Sequence, residues 1–423
     1  MRTGGFGRSV NAPGNATMSP IPRYQPHRGP AILSSGFRPF FLFGTIFAAL
    51  AVMIWLPFYE GELSLQTALA PRDWHVHEML YGYLPAVITG FLFTAIPNWT
   101  GRMPLQGLPL LSLVLLWLAG RLVTAFSADI GWLASLLIDA AFLAAVASVI
   151  AREIIAGRKW NNLPVVALTT LLLIGNVGFH LEAHFTGMAD ISIRVGVAVV
   201  IMLIGLIGGR IIPSFTRNWM VRENPGRLPI PFNRFDAVTV AASALSLVAW
   251  VVLKEGAIAG GLLAVAGVLH LIRLARWAGD RTFKDRLVLV LHVGYLFVPI
   301  GFLLTSAACF GWLAQSAGMH AWMVGAAGTM TLAVMSRASL GHTGQALVAS
   351  VSTQGIYAAV VVAALARICA ALHPAWSFGL LHLAAFAWVA AFAGFALSFG
   401  PLLVGYRKLR PPAPKPATGL PQQ

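Results

Sequence analysis

The histidines are the side chains of this sequence with the clearest capacity for chemistry. Eleven of them occur in a chain that is 58% hydrophobic and only 10% charged. An ionisable group inside an apolar segment is costly, so it usually faces a cofactor, a water-filled cavity or a polar partner. Imidazole is also the commonest metal ligand in proteins. The histidines therefore predict a metal or haem centre, and their spacing indicates which of them share it.

His180 and His184 are four residues apart in the segment HLEAH. On a helix, this spacing places both rings on one face, about one turn apart, where they can share a metal ion. The segment is not the zinc-protease motif HExxH, because Glu182 stands two residues after His180 and points elsewhere. We predict a metal site here. The alternative is a pair of polar residues at the end of a helix.

His77 and His320 occupy equivalent positions in a weak internal repeat. Each is followed by a glycine five residues later and by a Thr-Gly pair at offsets of 23 and 24. Two imidazoles on facing helices are a common way to hold a haem from both sides. We therefore predict His77 and His320 as haem ligands, oriented by Glu78. The alternative for each is a hydrogen bond to a neighbouring carbonyl or hydroxyl. His75 would diverge from His77 on a regular helix and could join it only at an unwound end.

A second set of polar residues falls at the opposite helix ends. It could hold carboxylates or lipid phosphates, or it could simply anchor the helices at the membrane surface. Its members are Asn98, Arg210, His292, Arg337 and His342.

The elements that position these residues are membrane-spanning helices. A charged fraction of 10%, against roughly 25% in soluble domains, excludes a soluble globular protein. Apolar runs long enough to cross a bilayer recur along the chain. They predict an all-α polytopic membrane protein with twelve spans, at 36–57, 74–97, 108–126, 131–151, 163–186, 191–212, 236–253, 256–276, 287–310, 318–338, 353–373 and 377–400.

The basic residues predict the orientation of these spans. The net charge is +15, and 24 of the 29 Lys and Arg fall in segments on one side when both termini are placed in the cytoplasm. This asymmetry is typical of cytoplasmic loops, and no basic stripe indicates a nucleic-acid partner. Residues 1–30 and 406–423 are predicted to be disordered cytoplasmic tails around a membrane domain at 31–405. The repeat further suggests either three four-helix units or a single type of span that recurs.

Three segments carry a resemblance to a known family. They are SSGFRPFFL (34–42), WHVHEMLYGYLPAVITGFLFTAIPNWTGR (74–102) and MTLAVMSRASLGHTG (330–344). Together they resemble the NnrS family of bacterial inner-membrane proteins, over about residues 30 to 405. The resemblance implies non-covalent haem, copper and a role in nitric oxide metabolism or defence against nitrosative stress. It marks His75, His77, Glu78, Asn98, Arg337 and His342 as family-motif positions without saying which of them binds which metal.

A fainter, architectural resemblance is to the catalytic subunits of haem-copper oxidases and nitric oxide reductases. It implies a haem between spans 2 and 10, which maps onto His77 and His320. That superfamily takes its second metal's histidines from spans 6 and 7, and this chain has none there. The predicted copper ligands are therefore His180 and His184, with His75 as a possible third.

Together these resemblances imply a haem- and copper-binding protein that meets nitric oxide in the bilayer. The hypothesis that it also converts nitric oxide would make it an oxidoreductase with an unidentified electron donor. Two rival functions remain open. Twelve spans with internal symmetry are also typical of secondary transporters. Few acidic residues lie in the spans to couple protons, however. The main candidates are Asp139 and Glu182, and Asp236 lies at the end of a span. The other rival is a protein that binds or senses nitric oxide without turnover.

Overall fold

The computed structural model describes residues 29–405, in which all regular structure is helical. The predicted all-α class is therefore confirmed. Eleven helices of this part of the chain are long and apolar enough to cross a membrane, which makes it a multi-pass membrane protein. The two predicted disordered tails lie outside the described residues, apart from Gly29 and Pro30.

The helices follow the predicted spans in number and order. The tenth span, 318–338, lies in a continuous helical segment at 315–343 that is less apolar than the other eleven. The twelve helices are α1 (Phe37–Glu60), α2 (Pro71–Thr100), α3 (Leu108–Ala125), α4 (Trp132–Ala156), α5 (Leu163–Thr186), α6 (Asp190–Glu223), α7 (Arg234–Leu253), α8 (Ala257–Ala275), α9 (Arg286–Cys309), α10 (315–343), α11 (Val351–Leu372) and α12 (Ser377–Val404).

The largest difference in a helix boundary is at α6. The apolar run predicts an end near 212, but the helix continues to Glu223. Its last two turns carry the polar residues Arg217, Asn218 and Arg222. Hydropathy marks where a helix leaves the apolar phase, and α6 remains helical beyond that point.

The bundle is closed by contacts between its first and last helices. Each helix packs against its neighbour in the chain, and α12 also packs against α1. The helices α2, α6 and α10, which are four apart in the sequence, contact one another pairwise. Three four-helix units would meet through these same helices. Long-range packing of this kind places polar residues from distant parts of the chain side by side.

The repeat in the sequence has a counterpart in the conformations of α2 and α10. In α2 a short α-helical segment ends at His77 and continues as a π-helical stretch, Glu78–Tyr83. In α10 the first segment ends at His320 and continues as a π-helical stretch, Ala321–Gly328. Both helices end at a glycine in the left-handed region, Gly101 with φ 75° and Gly344 with φ 77°, which a residue with a side chain rarely adopts.

Candidate functional site

Six polar side chains from four consecutive helices meet in the half of the bundle that is predicted to face away from the cytoplasm. Each of them is at most 6% exposed. This α2–α5 cluster consists of His77 and Glu78 of α2, Arg121 of α3, Asp139 of α4, and Asn176 and His180 of α5.

Local structure brings these side chains to one point. Asn176 and His180 are four residues apart, so they share one face of α5. A Cβ atom at Gly82 would lie 2.3 Å from Nη1 of Arg121, so a glycine at this position leaves room for the guanidinium group. Gly82 lies in the π-helical stretch, and the carbonyl oxygen of Gly82 accepts a hydrogen bond from Nε1 of Trp117 at 2.9 Å. Helical π turns are rare and are frequent at functional sites.

Asp139 is the centre of the hydrogen-bond network. Its Oδ1 accepts a hydrogen bond from Nη2 of Arg121. Its Oδ2 accepts one from Nδ2 of Asn176 at 2.8 Å, and lies 3.1 Å from Nε2 of His180 and 3.2 Å from Nε2 of His77. The carboxylate therefore links three other helices of the cluster to α4.

Both ring nitrogens of His77 face oxygen acceptors. Nδ1 lies 3.0 Å from Oε1 of Glu78, and Nε2 lies 3.1 Å from Oδ1 of Asn176. Arg121 completes the network, because its Nη1 donates to both carboxylate oxygens of Glu78 at 2.8 Å.

The charges of the cluster do not balance when its imidazoles are neutral. Two carboxylates, Glu78 and Asp139, face one guanidinium group, that of Arg121, which leaves one negative charge. An uncompensated charge is unfavourable in a buried site. One additional positive charge, carried by a proton on an imidazole or by a metal ion, neutralises the cluster.

The same residues offer a set of metal ligands. One ligand atom from each of His77, Asp139 and His180 lies within 4.8 Å of the others, and no second such group occurs among residues 29–405. Two imidazole nitrogens and a carboxylate oxygen suit copper or zinc. Glu78 faces Nδ1 of His77 and would hold the ring in place, as the partner of a metal ligand typically does. Asn176 faces Nε2, the nitrogen next to Asp139, and would have to release it to a metal.

A second buried cluster lies at the other end of the bundle, between α7, α8 and α9. In this α7–α9 cluster, Nε of Arg273 donates to Oδ1 of Asp236 at 2.9 Å, and its Nη1 donates to the hydroxyl of Tyr295 at 2.9 Å. His270 lies with Nε2 2.7 Å from Oγ of Ser243 and with Nδ1 2.9 Å from the Tyr295 hydroxyl. One carboxylate here faces one close guanidinium group.

The structure groups the predicted metal ligands differently from the sequence. His180 lies in the α2–α5 cluster, but His184 is exposed and stacks on Trp132, with ring centroids 4.2 Å apart. His77 contacts the ring of His180, with centroids 4.8 Å apart. Within residues 29–405, His77 shares no hydrogen bond or ring contact with His320. The haem and copper ligands therefore remain predictions, and the geometry favours a different pairing.

The predicted residues at the cytoplasmic helix ends do not converge on one site. Nη1 of Arg210 donates to Oδ1 of Asn162 at 3.2 Å, and Nδ2 of Asn98 donates to the carbonyl of Thr94 at 3.1 Å. The others contact separate neighbours. Arg337 lies over the Phe215 ring at 4.3 Å, His292 has Nε2 2.9 Å from Oγ1 of Thr216, and His342 packs against Phe37 with centroids 5.4 Å apart.

Sequence reasoning did not assign Arg121, Asp139 or Asn176 to the site. The sequence did point to Arg121 and Asp139, because an ionised side chain inside an apolar span usually has a partner there. Glu182, considered with Asp139 as a proton-coupling residue, instead accepts hydrogen bonds from the backbone N–H groups of Ile191 and Ser192 at 2.8 Å, at the start of α6.

The comparisons with known proteins agree with the resemblance of the sequence motifs. No curated protein matches the chain. The family model described as NnrS protein matches residues 31–407, which include every helix described above. The chain therefore belongs to the NnrS family.

Proposed function

We propose that this protein binds copper at the α2–α5 cluster and haem elsewhere in the bundle, and that it acts through them on nitric oxide in the bacterial inner membrane. Family membership supports the link to the nitric oxide response. The observation that carries the copper assignment is the buried group of His77, Asp139 and His180, with ligand atoms within 4.8 Å of one another.

The cluster fits a copper ion in both chemistry and charge. Imidazole and carboxylate are accepted copper ligands. A monovalent copper ion would also supply the one positive charge that the cluster lacks when its imidazoles are neutral. Arg121 would hold the Asp139 carboxylate in position through Oδ1, so that Oδ2 faces the metal. Nδ2 of Asn176 donates to that same Oδ2 atom, and this hydrogen bond would have to lengthen when a metal binds there.

The location suits a small apolar substrate. Nitric oxide partitions into the hydrocarbon phase and needs no polar entry path. The cluster is buried among helices, so the surrounding side chains exclude bulk water from it. Copper and haem would supply redox chemistry when bound. Reduction of two nitric oxide molecules to nitrous oxide and water consumes two electrons and two protons, which an electron donor and the solvent would provide.

The first experiment is the visible spectrum of the purified protein, oxidised and reduced with dithionite, together with its iron and copper content. We expect a Soret band, near-stoichiometric copper, and signals that change when nitric oxide is added. A colourless and metal-free protein would contradict the proposal. Uptake of a substrate by proteoliposomes would then favour a secondary transporter.

Turnover is tested separately from binding. Nitric oxide consumption is measured with a chemical reductant for the wild type, Asp139→Asn and the matched control Asp236→Asn. We expect consumption by the wild type and the control but not by Asp139→Asn. Metal signals that respond to nitric oxide without any consumption would indicate a binding or sensing protein instead.

A further inference from the structure

Two adjoining cavities lie at the end of α2 that is predicted to face the cytoplasm. The first has a volume of about 80 Å³, and its lining is mainly apolar, with Phe93, Ile96, Met103, Leu105 and Val149. The second has a volume of about 260 Å³, and its lining includes Asn98, Trp99 and Lys159. Pro97, Thr100 and Arg102 line both cavities. The apolar cavity lies deeper in the bundle, because its residues of α2 come earlier in the helix. The pair is therefore polar at the surface and apolar below it.

Three basic side chains and one carboxylate line the two cavities. Nε of Arg102 donates to Oε2 of Glu153, and Nε of Arg152 donates to Oε1 of Glu153 at 3.0 Å. The two terminal nitrogens of Arg102 donate no hydrogen bond to any of residues 29–405, and Lys159 makes no ion pair with them. The side chain of Arg102 is 45% exposed. These donors are therefore open to a ligand.

The charge of the cavities suits a monovalent anion. The three basic groups exceed the one carboxylate by two positive charges. The ends of α2 and α4 lie side by side here, because a Cβ atom at Gly157, directly after α4, would lie 2.8 Å from Cβ of Thr100. The C-terminus of a helix carries about half a negative charge. About one positive charge remains, which matches the single negative charge of a phosphodiester.

Another basic region of the surface that is predicted to face the cytoplasm differs from this one. Nη2 of Arg227 donates to both carboxylate oxygens of Asp280 at 2.5 Å. Arg281 donates to the carbonyl oxygens of Arg227 at 2.5 Å and of Pro225 at 2.9 Å. These arginines bind groups of the protein itself, and neither of them lines the two cavities.

We propose that the two cavities hold one anionic phospholipid of the cytoplasmic leaflet. Its phosphate contacts Arg102, Arg152 and Lys159, and the first methylene groups of an acyl chain enter the apolar cavity. Basic pockets between membrane helices on the cytoplasmic side bind anionic headgroups. Trp99 lies at the helix end, where aromatic side chains typically contact the headgroup layer. The inference is independent of copper and haem.

The test measures lipid binding to the full-length protein, purified in detergent and stripped of lipid. Native mass spectrometry gives the affinity for dioleoylphosphatidylglycerol and for dioleoylphosphatidylcholine, a zwitterionic lipid with the same chains. We expect the wild type to hold about one phosphatidylglycerol per chain more tightly than phosphatidylcholine. Arg102→Gln should weaken phosphatidylglycerol binding about fivefold, the effect of one Lys or Arg near an anionic surface. The variant should fold, because an exposed ion pair contributes little to stability.

Two further variants make the test specific. Arg227→Gln is the matched control, since Arg227 is also an exposed arginine that pairs with one carboxylate. It should bind phosphatidylglycerol like the wild type. Glu153→Gln frees the guanidinium groups of Arg102 and Arg152 and should bind phosphatidylglycerol more tightly than the wild type. A variant that is merely damaged would not gain affinity.

Soluble glycerol phosphate distinguishes the lipid from its headgroup. It offers a phosphate without acyl chains, so an excess of it should leave the bound lipid in place. Displacement of the lipid would assign the cavities to a free phosphate ester and overturn the proposal. Equal affinity of the wild type for the two lipids would also overturn it, as would an equal loss of affinity in Arg102→Gln and Arg227→Gln or weaker binding by Glu153→Gln.

Discussion

The two buried polar clusters of this bundle contain the same kinds of side chain but differ in charge balance. In the α7–α9 cluster the carboxylate of Asp236 faces Arg273 at 2.9 Å and Arg276 at 3.6 Å, so its negative charge is compensated. In the α2–α5 cluster the single guanidinium group of Arg121 serves both Glu78 and Asp139. Only the α2–α5 cluster needs another positive charge.

The histidines reflect the same difference. His270 lies between two hydroxyl groups, those of Ser243 and Tyr295, which can complete its hydrogen bonds as a neutral ring. His77 and His180 instead lie against the carboxylate of Asp139. A histidine in a membrane helix therefore does not by itself indicate a metal site. Surplus carboxylate next to imidazole is the more informative feature.

The largest predicted effect follows from removal of the shared cation. Arg121→Gln leaves two buried carboxylates without a counter-charge, and loss of one partner of a buried ion pair costs about 3–5 kcal/mol. Arg273→Gln leaves only Asp236, which keeps Arg276 nearby. Thermal unfolding of both variants in the same detergent should show a larger fall in the melting temperature for Arg121→Gln than for Arg273→Gln. An equal or larger fall for Arg273→Gln would contradict the difference in charge balance.

The next effect concerns the surplus charge itself. Glu78→Gln keeps a side chain of the same size beside Arg121 but makes the cluster neutral without a metal. We expect copper affinity to fall by about 10–100-fold, as for other residues that support metal ligands. Asp236→Asn should leave the affinity unchanged. Both values come from competition with a copper chelator, and tight binding by Glu78→Gln would show that the surplus charge is irrelevant.

A smaller effect is expected in the α7–α9 cluster. His270→Ala removes a hydrogen-bond partner of both Ser243 and Tyr295, which costs about 1–3 kcal/mol when buried groups are left unpaired. The melting temperature should fall while copper per chain stays at the wild-type value. Loss of copper in this variant would mean that the α7–α9 cluster also takes part in metal binding.

The smallest effect is predicted for His184→Ala. The side chain is exposed and contacts Trp132 and Phe185 by ring packing, so the stability change should stay within about 0.5 kcal/mol. Copper per chain should not change. This variant separates the pair predicted from the sequence, His180 with His184, from the group of His77, Asp139 and His180. A loss of copper in His184→Ala would support the pair of His180 and His184 as the copper ligands.

The sequence predicts the fold of this protein better than its site. Apolar runs of spanning length predict the helices directly. The repeat that contains His77 and His320 falls on two helices that have matching π-helical stretches. Spacing within one helix cannot show contacts between helices. Asp139 and His180 are on different helices, and no periodicity relates them. His184 shares a face with His180, but it lies in the last turn of α5, where it faces Trp132 rather than the cluster.

The most direct test of the central claim is copper per chain, measured by mass spectrometry of the purified proteins for the wild type, His180→Ala and His270→Ala. The two variants remove one buried histidine from each cluster. We predict about one copper ion per chain in the wild type and in His270→Ala, and almost none in His180→Ala. Equal copper in all three proteins would contradict the assignment of the metal site to the α2–α5 cluster.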